Sequence, residues 1–188
     1  MKRTMGMEPD VVTRQSRSFA GRVGGGVVPI IPGPGQESVW DYPRPPRVEP
    51  VTAAVRVVVD GTTIAASGRA MRVLETSHPP VYYVPRDDVR GSAIRRARGS
   101  SVCEWKGVAT YWSIVTAGRV IERAAWSYED PTPTFAAIRG HLAFYAGLVD
   151  EAWIGDELAT PQPGGFYGGW VTSAIVGPVK GEPGSWGW

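Results

Sequence analysis

Residues 108–128 read VATYWSIVTAGRVIERAAWSY, two strand-like runs that meet at Ala117-Gly118. β-branched and aromatic side chains favour strands, and small residues favour tight turns. A two-residue turn at this dipeptide predicts an antiparallel hairpin. Its predicted pairs are Thr116 with Arg119, Ile114 with Ile121, Trp112 with Arg123, Tyr111 with Ala124, and Ala109 with Trp126.

One face of this hairpin carries three aromatic side chains. Because side chains alternate along a strand, Tyr111, Trp126 and Tyr128 share one face. Trp112 and Arg123 are expected to stack on the other face. Two hydroxyls and an indole N–H need polar partners when buried, which favours a pocket wall. Ordinary hydrophobic core is the alternative.

Two more strand pairs precede the hairpin. Ala54 to Val59 is rich in Val, and Asp60-Gly61 accepts the positive φ angles of a tight turn before the returning strand. Met71 to Thr76 and Val81 to Val84 are further short strands. His78-Pro79-Pro80 lies between them and is expected to form an extended corner, because proline lacks the N–H that a ladder needs.

Helices are expected to be few and short. Pro85 to Val89 suits one helical turn, since proline is tolerated in a first turn. A second short helix is predicted from Thr134 to Arg139, capped by Thr132 or Thr134. The chain has 24 Gly and 17 Pro, which disfavours long helices. The sequence therefore predicts an all-β domain.

The composition excludes several classes of function. Lys plus Arg is 20 and Asp plus Glu is 18, so the net charge of +2 does not support nonspecific nucleic-acid binding. The sequence has no apolar run of about 18 residues, so we expect no membrane span. One Cys and two His cannot supply the four ligands of a structural zinc site, and no metal or cofactor is expected. The single cysteine fits a reducing, cytoplasmic compartment.

The chain divides into an arm and a domain. Residues 1–37 have a single aromatic side chain, Phe19, and are expected to form a disordered N-terminal arm. Residues 38–188 hold the remaining aromatics and form the folded domain. From about residue 161 a Gly/Pro-rich clasp is predicted to lie over the sheet, with glycines on both sides of Phe166-Tyr167 allowing close backbone approach.

Six ordered motifs resemble a known family. They are Trp40-Asp41-Tyr42-Pro43, VLETSHPPVYYVP at 73–85, Cys103-Glu104-Trp105-Lys106-Gly107, Ala125-Trp126-Ser127-Tyr128, His141 to Tyr145, and GGFYGGW at 164–170. The chain from Trp40 to Trp188 resembles the bacterial domain of unknown function 427 family, which is sometimes labelled nucleotidyltransferase. The resemblance implies a compact β-tent-like domain of two antiparallel sheets with one or two short helices.

The resemblance also implies a kind of site. Other β-tent domains usually hold zinc with paired Cys-x-x-Cys motifs, whereas Cys103 stands alone here, so zinc is not expected. The cereblon-type β-tent domain binds a small cyclic imide between tryptophans, which points to an aromatic cage. Glu104 stands where the family usually has Pro, so this chain departs from the family pattern at the local turn. The candidate cage residues are Trp105, Tyr111, Trp126, Tyr128 and Tyr83.

Three side chains are candidates for chemistry. Lys106 lies three residues from Cys103, so its ammonium can favour the reactive thiolate of that cysteine. Lys106 is itself a candidate clamp for an anionic group, or a base or amine nucleophile. Glu75 is a candidate general acid or base on a strand. The alternatives are a buried structural cysteine, a structural lysine and an ion pair between Glu75 and an arginine.

Other reaction classes find little support. Asp87 and Asp88 are adjacent and would point apart, so they do not form the metal-binding pair that nucleotide transfer needs. The run of arginines from Arg86 to Arg98 contains both aspartates and suits a solvated face. Without a Gly-x-Ser-x-Gly elbow, a serine triad has no local support. We therefore expect a small-molecule-binding domain, with an enzyme using Glu75 or Lys106 as the alternative and nucleotide handling as a weaker one.

Overall fold

The computed structural model describes residues 27–185 and 187–188, which form mainly short β-strands. The strands of these residues are β1 (Glu37–Ser38), β2 (Arg47–Pro50), β3 (Val55–Val59), β4 (Thr62–Ser67), β5 (Met71–Glu75), β6 (His78–Tyr83), β7 (Ile94–Cys103), β8 (Gly107–Val115), β9 (Val120–Ser127), β10 (Leu142–Phe144), β11 (Glu151–Ile154), β12 (Glu157–Leu158), β13 (Thr160–Pro161), β14 (Trp170–Val171) and β15 (Ile175–Val176). Their helices are 3₁₀ segments at Val39–Asp41, Arg86–Asp88, Gly91–Ala93, Pro133–Ile138 and Ala146–Leu148. The prediction of an all-β domain is confirmed. Among the residues described, no helix has the length and apolar character to cross a membrane.

The described strands form three larger sheets and two short pairs. The larger sheets have the orders β10-β9-β8-β7, β12-β11-β3-β4 and β2-β5-β6. β13 pairs with β14 in antiparallel fashion, and β1 pairs with β15 in parallel. The backbones of Val84 and Leu142 exchange hydrogen bonds of 2.7 and 2.8 Å, which join β6 to β10 at a single bridge. Pro85 follows and has no N–H, so the ladder ends and the two sheets meet at a corner.

The sheet β10-β9-β8-β7 is the middle layer and packs on both faces. Side chains such as Ile114 and Ala125 join Val57 of β3 in one core cluster. Tyr111 and Trp126 face the opposite way and join a second cluster with β5 and β6. The aromatic face predicted from the sequence is therefore the inner face of this second cluster.

The predicted hairpin with its turn at Asp60-Gly61 is confirmed. Val59 of β3 pairs with Thr62 of β4 across the turn. Asp60 and Gly61 both adopt positive φ angles, of 50° and 67°. These are the angles that a two-residue turn between twisted strands requires.

The corner expected at His78-Pro79-Pro80 is wrong, because these residues lie within β6. The chain instead turns at Ser77, whose φ angle is 69°. β5 pairs Val73 with Val81 but Glu75 with His78, so the register shifts by one residue where the two prolines lie. The shift accommodates residues that cannot donate to a continuous ladder.

The hairpin at 108–128 follows the predicted register only near its turn. Thr116 N–H donates to Arg119 O at 3.0 Å, and Ile114 pairs with Ile121 as expected. The predicted pairs farther from the turn are wrong: Tyr111 pairs with Trp126, Trp112 with Ala125, and Thr110 with Ser127. A bulge causes the change, since Arg123 adopts a φ angle of 53° and the ladder shifts by two residues there.

Both predicted helical segments are present as 3₁₀ turns. Arg86–Asp88 begins after Pro85, and Pro133–Ile138 covers most of the second predicted helix. Thr132 occupies the position before this segment, but its side chain makes no capping hydrogen bond. Its hydroxyl donates to Trp105 O at 2.6 Å instead, which connects the segment to the turn between β7 and β8.

The described part of the predicted arm contacts the end of the chain. Ile30 N–H donates to Gly177 O at 2.7 Å, and Glu37 N–H donates to Ala174 O at 2.8 Å. Residues 1–26 of that arm lie outside the described residues. The division into arm and domain stays a prediction.

Candidate functional site

A cavity of about 820 Å³ lies between β5–β6 and the inner face of β7–β9. The clasp residues 165–168 and Gln162 form part of its wall. It is lined by all eight side chains singled out from the sequence, Glu75, Tyr83, Cys103, Trp105, Lys106, Tyr111, Trp126 and Tyr128. The fold therefore brings the candidate residues to one place.

The aromatic wall is both pocket lining and core. Tyr111, Trp126 and Tyr128 are 9%, 7% and 5% exposed and pack in one cluster with Tyr83. The ring centres of Tyr83 and Trp126 lie 6.3 Å apart at an interplanar angle of 83°, and those of Trp126 and Tyr145 lie 4.5 Å apart. Edge-to-face and tilted contacts of this kind hold rings rigidly. The two alternatives, core and pocket wall, thus apply to the same residues.

Three phenols at this wall, those of Tyr83, Tyr128 and Tyr145, are kept neutral. Burial is the main reason why the pKa of Tyr83 and of Tyr128 lies far above the ordinary value, and the neighbouring Tyr83 raises the pKa of Tyr128 further. Burial, with the neighbouring Tyr111, raises the pKa of Tyr145 to about 12. Tyr111 shares a hydrogen bond of 2.8 Å with Ser101 Oγ. The hydroxyls of Tyr83, Tyr128 and Tyr145 therefore serve as neutral hydrogen-bonding groups at the cavity.

The turn between β7 and β8 places Trp105 and Lys106 at the cavity. Cys103 pairs with Gly107, and the three residues between them form the turn. Gly107 has a φ angle of 93°, which side chains rarely adopt. Thr132 fixes the turn, because its N–H donates to Lys106 O at 3.3 Å and its hydroxyl to Trp105 O. Among the described residues, the buried Trp105 Nε1 has no hydrogen-bond acceptor.

Lys106 is a buried lysine beside aromatic rings. It is 8% exposed, and its Nζ lies 5.9 Å from the ring centre of Tyr128 and 5.6 Å from that of Phe135. No Asp or Glu oxygen of the described residues lies within 4.0 Å of this amine. The amine is therefore available for an anionic group or, in its neutral form, for a carbonyl carbon.

Glu75 takes part in an ion pair at the cavity. Arg44 Nη1 lies 3.4 Å from its carboxylate, and Arg44 Nη2 lies 3.0 Å from that of Glu104. The guanidinium also lies 5.9 Å from the ring centre of Trp105. The ion pair expected as the alternative for Glu75 is thus present, with the more exposed Glu104 on the same arginine.

Cys103 is a half-buried free thiol in the cavity wall. After burial and the nearby Tyr83, the Cys103 thiol is a further cause of the raised pKa of Tyr128. Cys103 and Lys106 both line the cavity. A reactive Cys103 thiolate stays a prediction.

Sequence reasoning misplaced one cation and missed others. Arg123 lies over the Tyr111 ring, with 3.9 Å between its Cζ and the ring centre, rather than on Trp112. The bulge at Arg123 turns its side chain to the inner face. Trp112 instead receives Arg86 at 4.2 Å on the opposite face. Lys180 also lines the cavity, and only the long-range fold brings it there.

His78 is a further lining residue that the sequence did not assign to the site. Its Nδ1 lies 3.0 Å from Thr76 O, and its ring makes an edge contact of 4.8 Å with Tyr167 of the clasp. Burial lowers the pKa of His78 below its ordinary value, assisted by the charges of Lys180 and Arg44. The imidazole is therefore neutral near pH 7, with Nδ1 donating to the carbonyl.

The clasp contacts the aromatic wall through glycine. A Cβ atom on Gly168 would lie 2.0 Å from Trp126 Cη2, so only glycine fits there. Gln162 N–H donates to Gly169 O at 2.9 Å, and Gly169 N–H donates to Gln162 Oε1 at 3.2 Å. The backbone at Gly168 therefore lies directly against the Trp126 ring.

The features weighed for nucleotide transfer lie elsewhere. Asp88 accepts hydrogen bonds from Ser67 and Arg69, and neither it nor Asp87 lines the cavity. Arg86 pairs with Glu129 at 2.9 Å. Within residues 27–185 and 187–188, no three His, Cys, Asp or Glu side chains are close enough to hold a metal ion.

Comparison with known proteins gives one family. No curated protein matches the chain. The family model described as a domain of unknown function, DUF427, matches residues 47–155, which is more than half of the chain. That range holds all eight candidate residues and ends before the clasp. Because the family model covers more than half of its residues, the chain belongs to the DUF427 family.

Proposed function

We propose that this domain binds a small organic molecule with a flat apolar part in the cavity between the two sheets. The observation that carries the proposal is a cavity of about 820 Å³ with buried aromatic rings on its wall. Sites for small molecules are typically concave, apolar and aromatic, about 300–1,000 Å³ in size, and contain a few polar groups. A flat ligand gains by stacking on Trp126 and Tyr111, whose positions are fixed by the packing described above.

A second candidate is amine chemistry by Lys106 on a carbonyl compound. The specific observation in its favour is the buried amine without a carboxylate partner among the described residues. Glu75 is less suited to proton transfer, because Arg44 holds its carboxylate in an ion pair. Nucleotide handling has no comparable observation in its favour. A cytoplasmic location and a small molecule as the partner stay predictions.

The test uses two neighbouring serines on β7. Ser101 lines the cavity and contacts Tyr111, whereas Ser100 does not line it. A library of small aromatic compounds is screened by thermal shift on the wild type, Ser101→Trp and Ser100→Trp. A ligand at 100 times its dissociation constant adds about 2.7 kcal/mol to the unfolding free energy, or roughly 5–10 °C in melting temperature.

The two variants separate cavity binding from binding elsewhere. We expect the shift to disappear in Ser101→Trp, because the indole fills the cavity, and to persist in Ser100→Trp. Equal shifts in both variants would place the ligand outside the cavity. A library without any hit on the wild type would count against a binding function of this cavity.

A further inference from the structure

We infer that the ligand is an aromatic or heteroaromatic carboxylate, whose anionic group is held by the donors of the turn at Trp105 and Lys106. The inference rests on the proposed function and deepens it by naming the ligand class. Three observations support it: a buried lysine, a buried indole N–H and a cation near the mouth.

The buried lysine lacks a counter-charge. Only 8% of the surface of Lys106 is exposed, and withdrawing an ammonium group this far from water without a nearby anion is costly. The carboxylates that line the cavity are already engaged. Glu75 and Glu104 share Arg44, and Glu122 accepts from Ser113 and lies 3.4 Å from Arg95. The missing counter-charge is therefore expected from a ligand.

The buried indole N–H identifies the missing group as an acceptor. In the described residues, Trp105 Nε1 is the buried side-chain donor without a partner. Native structures rarely leave such a group unpaired. The indole N–H can only donate a hydrogen bond, and the same holds for the charged Lys106 ammonium. A protonated amine or a guanidinium on the ligand would therefore satisfy neither group. A carboxylate oxygen accepts hydrogen bonds from donors of both kinds.

A positively charged side chain at the entrance of the cavity also favours a negatively charged ligand. Arg123 is exposed, lines the cavity and lies over the Tyr111 ring. No carboxylate of the described residues forms a salt bridge with it. A cation at the entrance raises the local concentration of anions. A single buried lysine balances one negative charge, which favours a carboxylate over a doubly charged phosphate.

The aromatic rings of the cavity wall favour a ligand with a flat ring system. Trp126 and Tyr128 are held in place by Tyr83, whose own side chain is 1% exposed. Rigid rings favour a flat partner, because stacking then costs little side-chain entropy. An aromatic or heteroaromatic acid presents its flat face to these rings and its carboxylate to the turn.

The experiment compares matched pairs of compounds by titration calorimetry. The probes are benzoate, 2-naphthoate and indole-3-carboxylate, each with the carboxamide of the same skeleton. We expect the acid to bind at least tenfold more tightly than its amide to the wild type. Lys106→Met should remove most of this preference while changing amide affinity by less than about twofold. The control Arg69→Met removes one positive charge from a side chain outside the cavity and should keep the preference.

The outcomes separate this inference from the proposed function. Equal affinity for acids and amides would overturn the ligand class and leave small-molecule binding intact. A preference that survives in Lys106→Met would remove the turn as the anion site. If none of these compounds binds and the wider screen also gives no hit, the result would count against the proposed function itself. If Lys106→Met does not fold, Lys106→Gln and the acid-to-amide ratio of the wild type still decide the inference.

Discussion

The contact between Gly168 and Trp126 predicts a large effect from a single methyl group. A Cβ on Gly168 would lie 2.0 Å from Trp126 Cη2, 2.7 Å from Cζ3 and 3.0 Å from Cζ2. Carbon atoms in contact prefer about 3.5–4.0 Å, so one of the two groups must move by more than 1 Å. Trp126 is confined by Tyr145 and Tyr83, so we expect the clasp to move.

The expected cost of Gly168→Ala follows from overpacking. Inserting a methylene-sized group into a packed site typically costs about 1–3 kcal/mol. For a chain of this size, that is a fall of roughly 2–12 °C in melting temperature. The hydrogen bonds between Gln162 and Gly169 should also weaken, so amide hydrogen exchange across 162–169 should accelerate. Gly68→Ala is the control, because its Cβ would meet nothing within 4 Å and its φ is ordinary; we expect a change within about 0.5 kcal/mol.

A double-mutant cycle ties the effect to this contact. The three Trp126 atoms nearest the added methyl belong to the outer part of the indole, which Trp126→Phe removes. Gly168→Ala should therefore be nearly neutral in the Trp126→Phe background, with an interaction energy of about 1–2 kcal/mol by denaturant unfolding. The reasoning is refuted if Gly168→Ala destabilises both backgrounds equally, or if wild-type stability and exchange do not change.

Two further predictions concern charge. Burial lowers the pKa of His78 below 6.5, so the unfolded state binds more protons than the folded state below that pH. The free energy of unfolding should therefore fall as the pH drops below about 6.5, by at most about 1.4 kcal/mol per pH unit. This slope should be smaller in His78→Phe when denaturant unfolding is compared at pH 7.5, 6.5 and 5.5. Arg72 donates to Glu49 at 2.8 Å and to Glu37 at 2.9 Å from a side chain that is 20% exposed, so Arg72→Met should cost about 2–4 kcal/mol. Arg47 is exposed and pairs with Glu49 alone, so the matched control Arg47→Met should lower the free energy of unfolding by less than about 1 kcal/mol. Equal losses of stability in the two variants would contradict a special role for the Arg72 network.

Local patterns in the sequence were sufficient to predict the hairpins β3–β4 and β8–β9 and the aromatic face of the second hairpin. Asp60-Gly61 determines its turn because positive φ angles depend on the residues themselves. Alternation places Tyr111, Trp126 and Tyr128 on one face whatever their partners, and this face lines the cavity. The family motifs added Tyr83, Trp105 and Lys106, which lie in the same wall.

Tertiary structure alone decided the register and the charge partners. The bulge at Arg123 depends on how β9 pairs with β8, and a shift of two residues keeps the aromatic face while replacing every cross-strand neighbour beyond it. Arg44, His78 and Lys180 reach the cavity through contacts between segments far apart in the chain. The burial of Lys106 likewise depends on Tyr128 and Phe135, which follow it by more than twenty residues. Alternation is a property of the chain itself, whereas burial and ion pairing are set by the distances between segments, which exist only once the chain has folded.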